Sequence, residues 1–329
     1  MSQLAFATRL NSFASRPDAA WPGRTGKPGV LDLVARAATA RGLTHVDLNY
    51  PDHLGAGAIE TARSVRNLGL ELNGLAMRYY SEPAFKLGAF TNPEPRVRRA
   101  AIDLTKAGID AALLAGAPLM TIWLGQDGYD YAFQADYARL WDMEIEGLRE
   151  VAAHAPECLI SIEYKPNEPR AYSLLPDAAT TLLAIRDVGL SNLGVTLDFA
   201  HSLYADEQPA LAAALIARHS RLLGVHLNDG NGKRDDGLMV AAVNTLKTLE
   251  LLRQVRRDGY DRPLYFDTFP DLTGLDPVRE CEVNIATVRR LLSVADTLDA
   301  SNALEAAIAA QDAVGALDIV QNALIGRSS

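Results

Sequence analysis

Eight short apolar, β-like runs recur along the 329-residue chain, and helical segments fill the intervals between them. The runs are Ala5–Phe13, His45–Tyr50, Leu72–Tyr80, Pro118–Gly125, Cys158–Lys165, Asn192–Phe199, Leu222–Asn228 and Pro263–Asp267. Alanine- and leucine-rich stretches with helical spacing, such as Gly29–Arg41, Pro95–Gly116 and Ala132–Ala155, separate them. Strands that pair in parallel need a long crossover, and a helix is the usual one. The alternation therefore predicts βα units around a parallel sheet. Eight units in roughly 250 residues match the size of an α/β fold closed as a (β/α)8 TIM barrel. A doubly wound open sheet is the competitor. It would more often carry a glycine fingerprint after its first strand, and Thr8-Arg9-Leu10-Asn11-Ser12-Phe13 has none.

After Asp267 the pattern changes: Pro277–Ala295 and Ser301–Ile325 read as two helical stretches with no strand between them. The expected organisation is a barrel over residues 1–270 and a C-terminal helical extension over 271–329, packed on the barrel or on a neighbouring subunit. No Gly-, Pro- or Ser-rich linker sets the tail apart. A homo-oligomer, dimer or tetramer, is expected from that tail.

With 48% hydrophobic residues the chain has ample material for a large core. Its net charge of −9 argues against a nucleic-acid partner, which is held through clustered Lys and Arg. The one basic arm, Arg96-Val97-Arg98-Arg99, is flanked by Glu94 and Asp103 and reads as a solvated helix start. Two cysteines, Cys158 and Cys281, make neither a disulfide framework nor a Cys-rich zinc site. Met1-Ser2-Gln3-Leu4 shows no secretory signal, and no apolar stretch reaches the roughly 18 residues that suggest a membrane span. The expectation is a cytoplasmic protein with no membrane partner.

The last four β-runs share a second property. Ile162-Glu163-Tyr164-Lys165, Leu197-Asp198-Phe199-Ala200-His201, Val225-His226-Leu227-Asn228-Asp229 and Phe266-Asp267 each deliver a hard-metal ligand at the same end. In a barrel the strand C-termini converge on one mouth, so Glu163, Asp198, His226 and Asp267 would point at one another. A single strand-end Asp or His is usually a cap or a solvated loop residue; four in register are hard to explain that way. Three carboxylates and an imidazole suit Mg²⁺, Mn²⁺ or Co²⁺ better than a soft-ligand metal. His201 and Asp235 are placed to hold a second ion, with Asp198 bridging. Lys165 shares the strand face of Glu163, because side chains alternate.

At these residues the chain resembles a known family. Ile162-Glu163-Tyr164-Lys165-Pro166-Asn167-Glu168-Pro169-Arg170 is similar to the "I-E-P-K-P-N-E-P-R" stretch of xylose isomerases. Phe85-Lys86-Leu87-Gly88-Ala89-Phe90-Thr91 resembles their "F-K-D-G-G-F-T", and Trp123-Leu124-Gly125-Gln126-Asp127-Gly128 their "W-G-G-R-E-G". Asp198-Phe199-Ala200-His201 matches "E-x-x-H", and Phe266-Asp267-Thr268-Phe269-Pro270 matches "F-D-F-K-P". The matches are ordered and run from Phe85 to Pro270, which identifies the xylose isomerase-like superfamily. The resemblance implies a two-metal aldose–ketose isomerase acting on a small-molecule sugar. It implies that Glu163, Asp198 and Asp267 hold a first metal, and that Asp198, His201 and Asp235 hold a second. It further implies that Lys165 steadies the sugar oxygen beside the migrating hydrogen and that Trp123 walls the pocket.

Departures from the family pattern are equally specific. His226 stands where xylose isomerases have a carboxylate; the resulting Glu/Asp/His/Asp set is closer to bacterial L-rhamnose isomerases and to ketose 3-epimerases. Gly237 replaces the second Asp of "D-Q-D-L", with Asp229 or Asp236 as possible compensation. Asn49 takes the place of the ring-opening histidine, and His53, four residues later, reads either as its substitute or as a solvated loop residue. Arg78 sits where the relatives have an uncharged residue; it is either structural or in reach of a substrate carboxylate, phosphate or hydroxyl. Trp123 fits a core aromatic as well as a pocket wall. The expected catalytic set is Lys165, Glu163, His53 and Asp235. The expected substrate contacts are Trp123, Lys165, Arg78, Asn49, Tyr80 and Phe13, with Arg9 and Asn11 nearby. Ketose 3-epimerase is the alternative activity. A metal-dependent abasic-site endonuclease and a non-catalytic sugar-binding protein are the remaining readings, the former disfavoured by the acidic charge.

Overall fold

The computed structural model describes residues 4–54 and 57–326. The first three residues, part of the segment that shows no secretory signal, lie outside that range. Eight parallel strands form one sheet: β1 (Phe6–Thr8), β2 (His45–Tyr50), β3 (Glu71–Met77), β4 (Leu119–Ile122), β5 (Leu159–Glu163), β6 (Leu193–Asp198), β7 (Leu222–Leu227) and β8 (Leu264–Phe266). Their spatial order is β1-β8-β7-β6-β5-β4-β3-β2. Between β1 and β2 the ladder shrinks to one parallel bridge, Arg9 to Asp47, and a bond from the Thr44 N–H to the Phe6 carbonyl at 3.1 Å. The result is a nearly closed (β/α)8 barrel.

The ring of helices is α1 (Val30–Ala37), α2 (Ala58–Asn67), α3 (Pro95–Ala115), α4 (Tyr137–His154), α5 (Ala178–Val188), α6 (Pro209–His219), α7 (Thr245–Arg257) and α8 (Pro277–Asp299). Their ends follow local rules. α3 begins on Pro95, whose missing N–H costs nothing in the first turn, and stops at Gly116 with a left-handed φ of 71°. α4 and α5 start from Asp136 and Asp177, whose carboxylates accept the Arg139 and Thr180 N–H groups at 3.1 and 2.7 Å. On α3 the buried positions Ala101, Thr105, Ile109 and Ala112 recur at helical spacing, so one stripe faces the sheet.

Strand alternation sorts the two barrel faces. Ile160, Ile162, Val195, Leu197, Val225 and Leu227 are buried in the shell between strands and helices. The intervening Ser161, Thr196 and Gly224 face the axis, where Ser161 and Thr196 share a hydroxyl hydrogen bond of 2.6 Å. Glu163, Asp198 and His226 continue that inward set, which is why they arrive together at the mouth.

Two expectations need correction. The first run, Ala5–Phe13, is strand only to Thr8; Leu10–Ala14 forms a 3₁₀ helix. Leu10 and Phe13 are three residues apart and therefore share a face of such a helix, and both are buried. The Ser12 hydroxyl and the Arg36 guanidinium tie that turn down, donating to the carbonyls of Thr268 and Phe13, each at 2.8 Å. The tail also differs. Helix α8 buries Cys281, Ile285, Val288, Leu291 and Ala295 in the main core, as the barrel's eighth helix. The Ser301–Ile325 run splits into α9 (Ala303–Ala309) and α10 (Ala313–Ile325) at Gln311, whose φ of 53° ends a helix. Cys158 and Cys281 are buried and free. Among the described residues no helix is long and apolar enough to cross a membrane.

Candidate metal centre

At the C-terminal mouth, Glu163 of β5, Asp198 of β6, His226 of β7 and Asp267 after β8 each offer a ligand atom, all within 4.8 Å of one another. The Nδ1 of His226 lies 3.2 Å from Glu163 Oε1 and 4.0 Å from carboxylate oxygens of Asp198 and Asp267. Four consecutive strands of the closed sheet thus each supply one donor.

Asp198 has a second task. It caps the short helix Phe199–Tyr204, accepting the His201 N–H at 2.9 Å. That capping turn brings His201 back over the mouth, which explains the three-residue spacing. The Nδ1 of His201 faces the Tyr164 carbonyl at 3.0 Å, and its Nε2 faces Asp235 Oδ2 at 3.1 Å. His201 and Asp235 therefore stand beside the four-ligand cluster, with His201 Nδ1 3.8 Å from Glu163 Oε1. The second oxygen of Asp235 is buried without a hydrogen-bond partner among the described residues.

Charge crowding is the dominant electrostatic feature. Burial, together with the carboxylates of Asp235, Asp267 and Glu163, outweighs the His201 charge and pushes Asp198 up to about 7. Burial also raises Asp267, against the pull of Arg9. Burial would lower the imidazoles, but Asp198 and Asp235 hold His201 at about 9, and Glu163, Asp267 and Asp198 hold His226 at about 9. Glu163, raised by burial, is brought down to about 2 by the charge and hydrogen bond of His226 and the charge of His201. The crowded carboxylates thus recruit protons onto neighbouring imidazoles. A hard divalent cation satisfies the same field more directly, and three carboxylate oxygens with one imidazole form a fitting donor set for it.

A cavity of about 220 Å³ opens over the cluster. It is smaller than the roughly 300–1,000 Å³ of drug-sized sites, and suits a small polar ligand. Lys165 reaches into it, 3.0 Å from Glu168 Oε2 and 3.1 Å from Asp235 Oδ2, with its ammonium 5.2 Å from the centre of the Trp123 ring. Tyr80 tilts onto Trp123 at 5.6 Å, and the Arg78 guanidinium lies 5.5 Å from the Tyr80 ring centre. Arg9 closes the opposite side, 3.7 Å from Asp267 and 2.8 Å from Asp271.

The structure brings Glu163, Lys165, His201, His226, Asp235, Asp267, Arg78, Tyr80 and Trp123 to this cavity, with Asp198 buried beneath it. Three expected residues are not among its lining. Phe13 is 1% exposed in the core, a consequence of the 3₁₀ turn. Asn49 is buried and donates to Asn11 Oδ1 at 3.2 Å. The Nδ1 of His53 accepts the Asn49 N–H at 3.1 Å, and His53 lines a separate groove of about 700 Å³ that also touches α1 and α2. Burial, with the charges of Arg78 and Arg9, lowers His53 to about 4, so it is a neutral acceptor. That groove is larger but lacks the converging donors of the mouth.

Nor do Asp229 or Asp236 replace the missing second aspartate. Asp229 accepts the N–H groups of Val243 and Asn244 at 2.8 and 2.9 Å, and Asp236 binds the Asn231 N–H and Arg234, both at 2.8 Å. Gly237 has its own reason: at φ 55° a Cβ there would meet the Phe269 ring at 2.2 Å. Four participants were missed. Asn228 donates to both oxygens of Asp198, at 3.1 and 2.9 Å, and accepts the Ala200 N–H at 2.8 Å. Tyr265 stacks on His226 at 4.1 Å, and Asp47 and Phe269 also line the cavity. Period-two alternation from Asp267 and Asn49 would have found Tyr265 and Asp47.

The family model of the xylose isomerase-like TIM barrel matches residues 34–290. Xylose isomerase of Thermus thermophilus is 28% identical over 211 residues, 62% of this chain and 54% of that protein; the Thermus caldophilus enzyme is 27% identical over the same lengths. The chain thus spans about half the length of the curated relatives it matches. Among solved structures, a D-tagatose 3-epimerase-like protein superposes with a TM-score of 0.67 at 16% identity, covering 89% of this chain and 99% of the other. An L-ribulose 3-epimerase gives 0.67 at 17%, covering 90% and 97%. These two likenesses are of fold alone. The family match, the barrel and the donors gathered at its mouth agree, and the chain belongs to the xylose isomerase-like TIM-barrel family.

Proposed function

We propose that the protein is a divalent-metal-dependent aldose–ketose isomerase that moves hydrogen between C1 and C2 of a small sugar. The observation that carries this reading is Lys165, whose ammonium stands in the cavity beside the donor cluster, 3.1 Å from Asp235. Glu163, Asp198, His226 and Asp267 would hold Mn²⁺, Mg²⁺ or Co²⁺. His201 and Asp235 would hold a second ion, sharing Asp198. Bound there, the metal supplies Lewis-acid polarisation of the sugar's carbonyl and hydroxyl oxygens.

The protein's own groups do the rest. Lys165 donates a charged hydrogen bond to the sugar oxygen next to the migrating hydrogen. Asp235 Oδ1, free of any described partner, accepts from a sugar hydroxyl. The Tyr164 carbonyl fixes the orientation of the His201 ring. Trp123 and Tyr80 form an apolar wall that excludes water from the reacting carbons.

The second reading is a ketose 3-epimerase. It is favoured by the Glu163 and Asp267 carboxylates, which come from different strands and converge within 4.8 Å. It leaves Lys165 without a task. The reading further includes a cytoplasmic homo-oligomer, dimer or tetramer, and for the oligomer the exposed apolar residues Val314, Leu317 and Ile325 of α10 are available to a second copy.

The test is sugar interconversion by the purified protein with each metal, beside Lys165→Ala and Glu163→Gln. The expected result is product at C1/C2, a loss of about 10²–10³-fold in kcat for Lys165→Ala, and no activity in Glu163→Gln. Products changed at C3 alone would transfer the protein to the epimerases. Silence across pentoses, hexoses, 6-deoxy sugars and their acids would end the isomerase reading.

A further inference from the structure

Three cationic side chains other than histidine line the cavity: Arg9, Lys165 and Arg78. Arg9 is paired with Asp267 and Asp271, and Lys165 with Glu168 and Asp235. Arg78 has no ion pair and no side-chain hydrogen bond among the described residues, and its Nε is buried without a partner. A guanidinium is always charged, and a buried donor left unmade is costly. Arg262 also has a buried Nε without a partner among the described residues but does not line the cavity, and Arg170 is held by Asp130 at 2.7 Å through its Nη1. The pose of Arg78 is not loose. Its own N–H donates to the Tyr50 carbonyl at 3.2 Å at the end of β3, and its guanidinium packs by the Tyr80 ring.

The barrel order then locates Arg78 relative to the chemistry. In an eight-strand ring ordered β1-β8-β7-β6-β5-β4-β3-β2, the strand directly across from β3 is β7, which carries His226. Arg78 therefore lies on the wall facing the donor cluster. A ligand whose oxygens reach the cluster extends its far end toward Arg78.

We infer that Arg78 is the anchor for a carboxylate on the substrate, and that the substrate is an acidic monosaccharide, a sugar acid whose carboxylate lies at the end remote from the reacting carbons. This rests on the isomerase reading for the position of those carbons. The planar fork of a guanidinium matches a carboxylate with two parallel N–H donors. One unpaired cation in a cavity of about 220 Å³ matches one negative charge on a single sugar. A phosphate dianion shares the anionic chemistry but calls for more donors than Arg78 alone presents.

The experiment measures turnover and calorimetric binding in parallel, with Mn²⁺ present. The probes are glucuronate and galacturonate, their neutral partners glucose and galactose, and glucose 6-phosphate. Each is tested on the wild type, Arg78→Met and Arg78→Lys, with Mn²⁺ affinity and Tm recorded to show that each variant is folded. The expected result is a uronate-over-neutral preference that falls by about 10- to 100-fold in Arg78→Met, through KM rather than kcat, and is partly restored in Arg78→Lys. Equal affinity for uronates and neutral sugars in the wild type would overturn the inference and leave the isomerase reading standing. So would equal losses for both classes in Arg78→Met. Preference for glucose 6-phosphate that depends on Arg78 would overturn the carboxylate in favour of a phosphate. Arg78-dependent uronate binding with no isomerisation of any probe would support the anchor and remove the proposed reaction. Absence of binding by every probe would overturn the anchor.

Discussion

The two walls of the cavity are built on different principles. The wall from β5 to β8 concentrates Glu163, Asp198, His226 and Asp267 so tightly that their charges conflict, with Asp198 pushed up to about 7 by burial and its acidic neighbours. The wall from β2 to β4 and their loops carries Asp47, Arg78, Tyr80 and Trp123, the last three of which meet through ring contacts of 5.5 and 5.6 Å. One wall is defined by a donor set that a cation completes. The other is defined by shape and by groups without partners among the described residues, namely the Arg78 Nε, the Trp123 Nε1 and one oxygen of Asp47. Crowded charge in the first wall points to a metal; buried polar atoms without partners in the second point to a ligand.

The sharpest way to break the comparison is Asp198→Asn. Its carboxylate is fully buried at the centre of the first wall. The expected outcome is at least ~10³-fold weaker Mn²⁺ binding by calorimetry, with loss of metal-dependent turnover. Retained affinity would mean that the crowded wall is not the metal centre.

Asp47→Asn probes the second wall through pH. Burial, only partly offset by Asn73 and His226, raises the Asp47 carboxyl to about 6 from an ordinary value of 3.8. A carboxyl raised in the folded state contributes stability that is intact below the unfolded value and is lost as pH climbs through about 6. Above that pH the wild type should therefore sit about 3 kcal/mol below the variant, relative to the gap at pH 4. Urea unfolding of both proteins at pH 4 and pH 8 measures it, and a gap that does not change with pH would show that Asp47 is already compensated.

A smaller effect is expected from Asn228→Ala. Its amide donates to both Asp198 oxygens, so it would orient a proposed metal ligand without being one. Metal affinity should fall by about 10–100-fold while the fold persists. An unchanged affinity would show that the capping of the Phe199–Tyr204 helix suffices to aim Asp198.

Much of the first wall was legible because its donor residues are local features: each sits at the end of an apolar run, and Asp198 and His201 share one capping turn. Asn228 was missed because its value lies in reaching across to a neighbouring strand, which no spacing in its own segment announces. On the second wall, sequence proximity misled. His53 and Asn49 bond to each other and away from the cavity, and Phe13 follows the i, i+3 pairing of a 3₁₀ turn into the core. The apparent loss at Gly237 is a packing requirement of Phe269.

Periodicity, strand-end chemistry and the absence of a glycine fingerprint, with the family resemblance, point from the sequence alone to a parallel barrel with a hard-metal donor set. These depend on residues a few positions apart, where backbone geometry alone dictates direction. Closure of the barrel decided the rest: that Tyr265 and Asn228 support the donors, and that Arg78 faces the cluster unpaired among the described residues. Those outcomes arise from groups tens or hundreds of residues apart, and only burial in a shared space makes their charges and hydrogen bonds answer to one another.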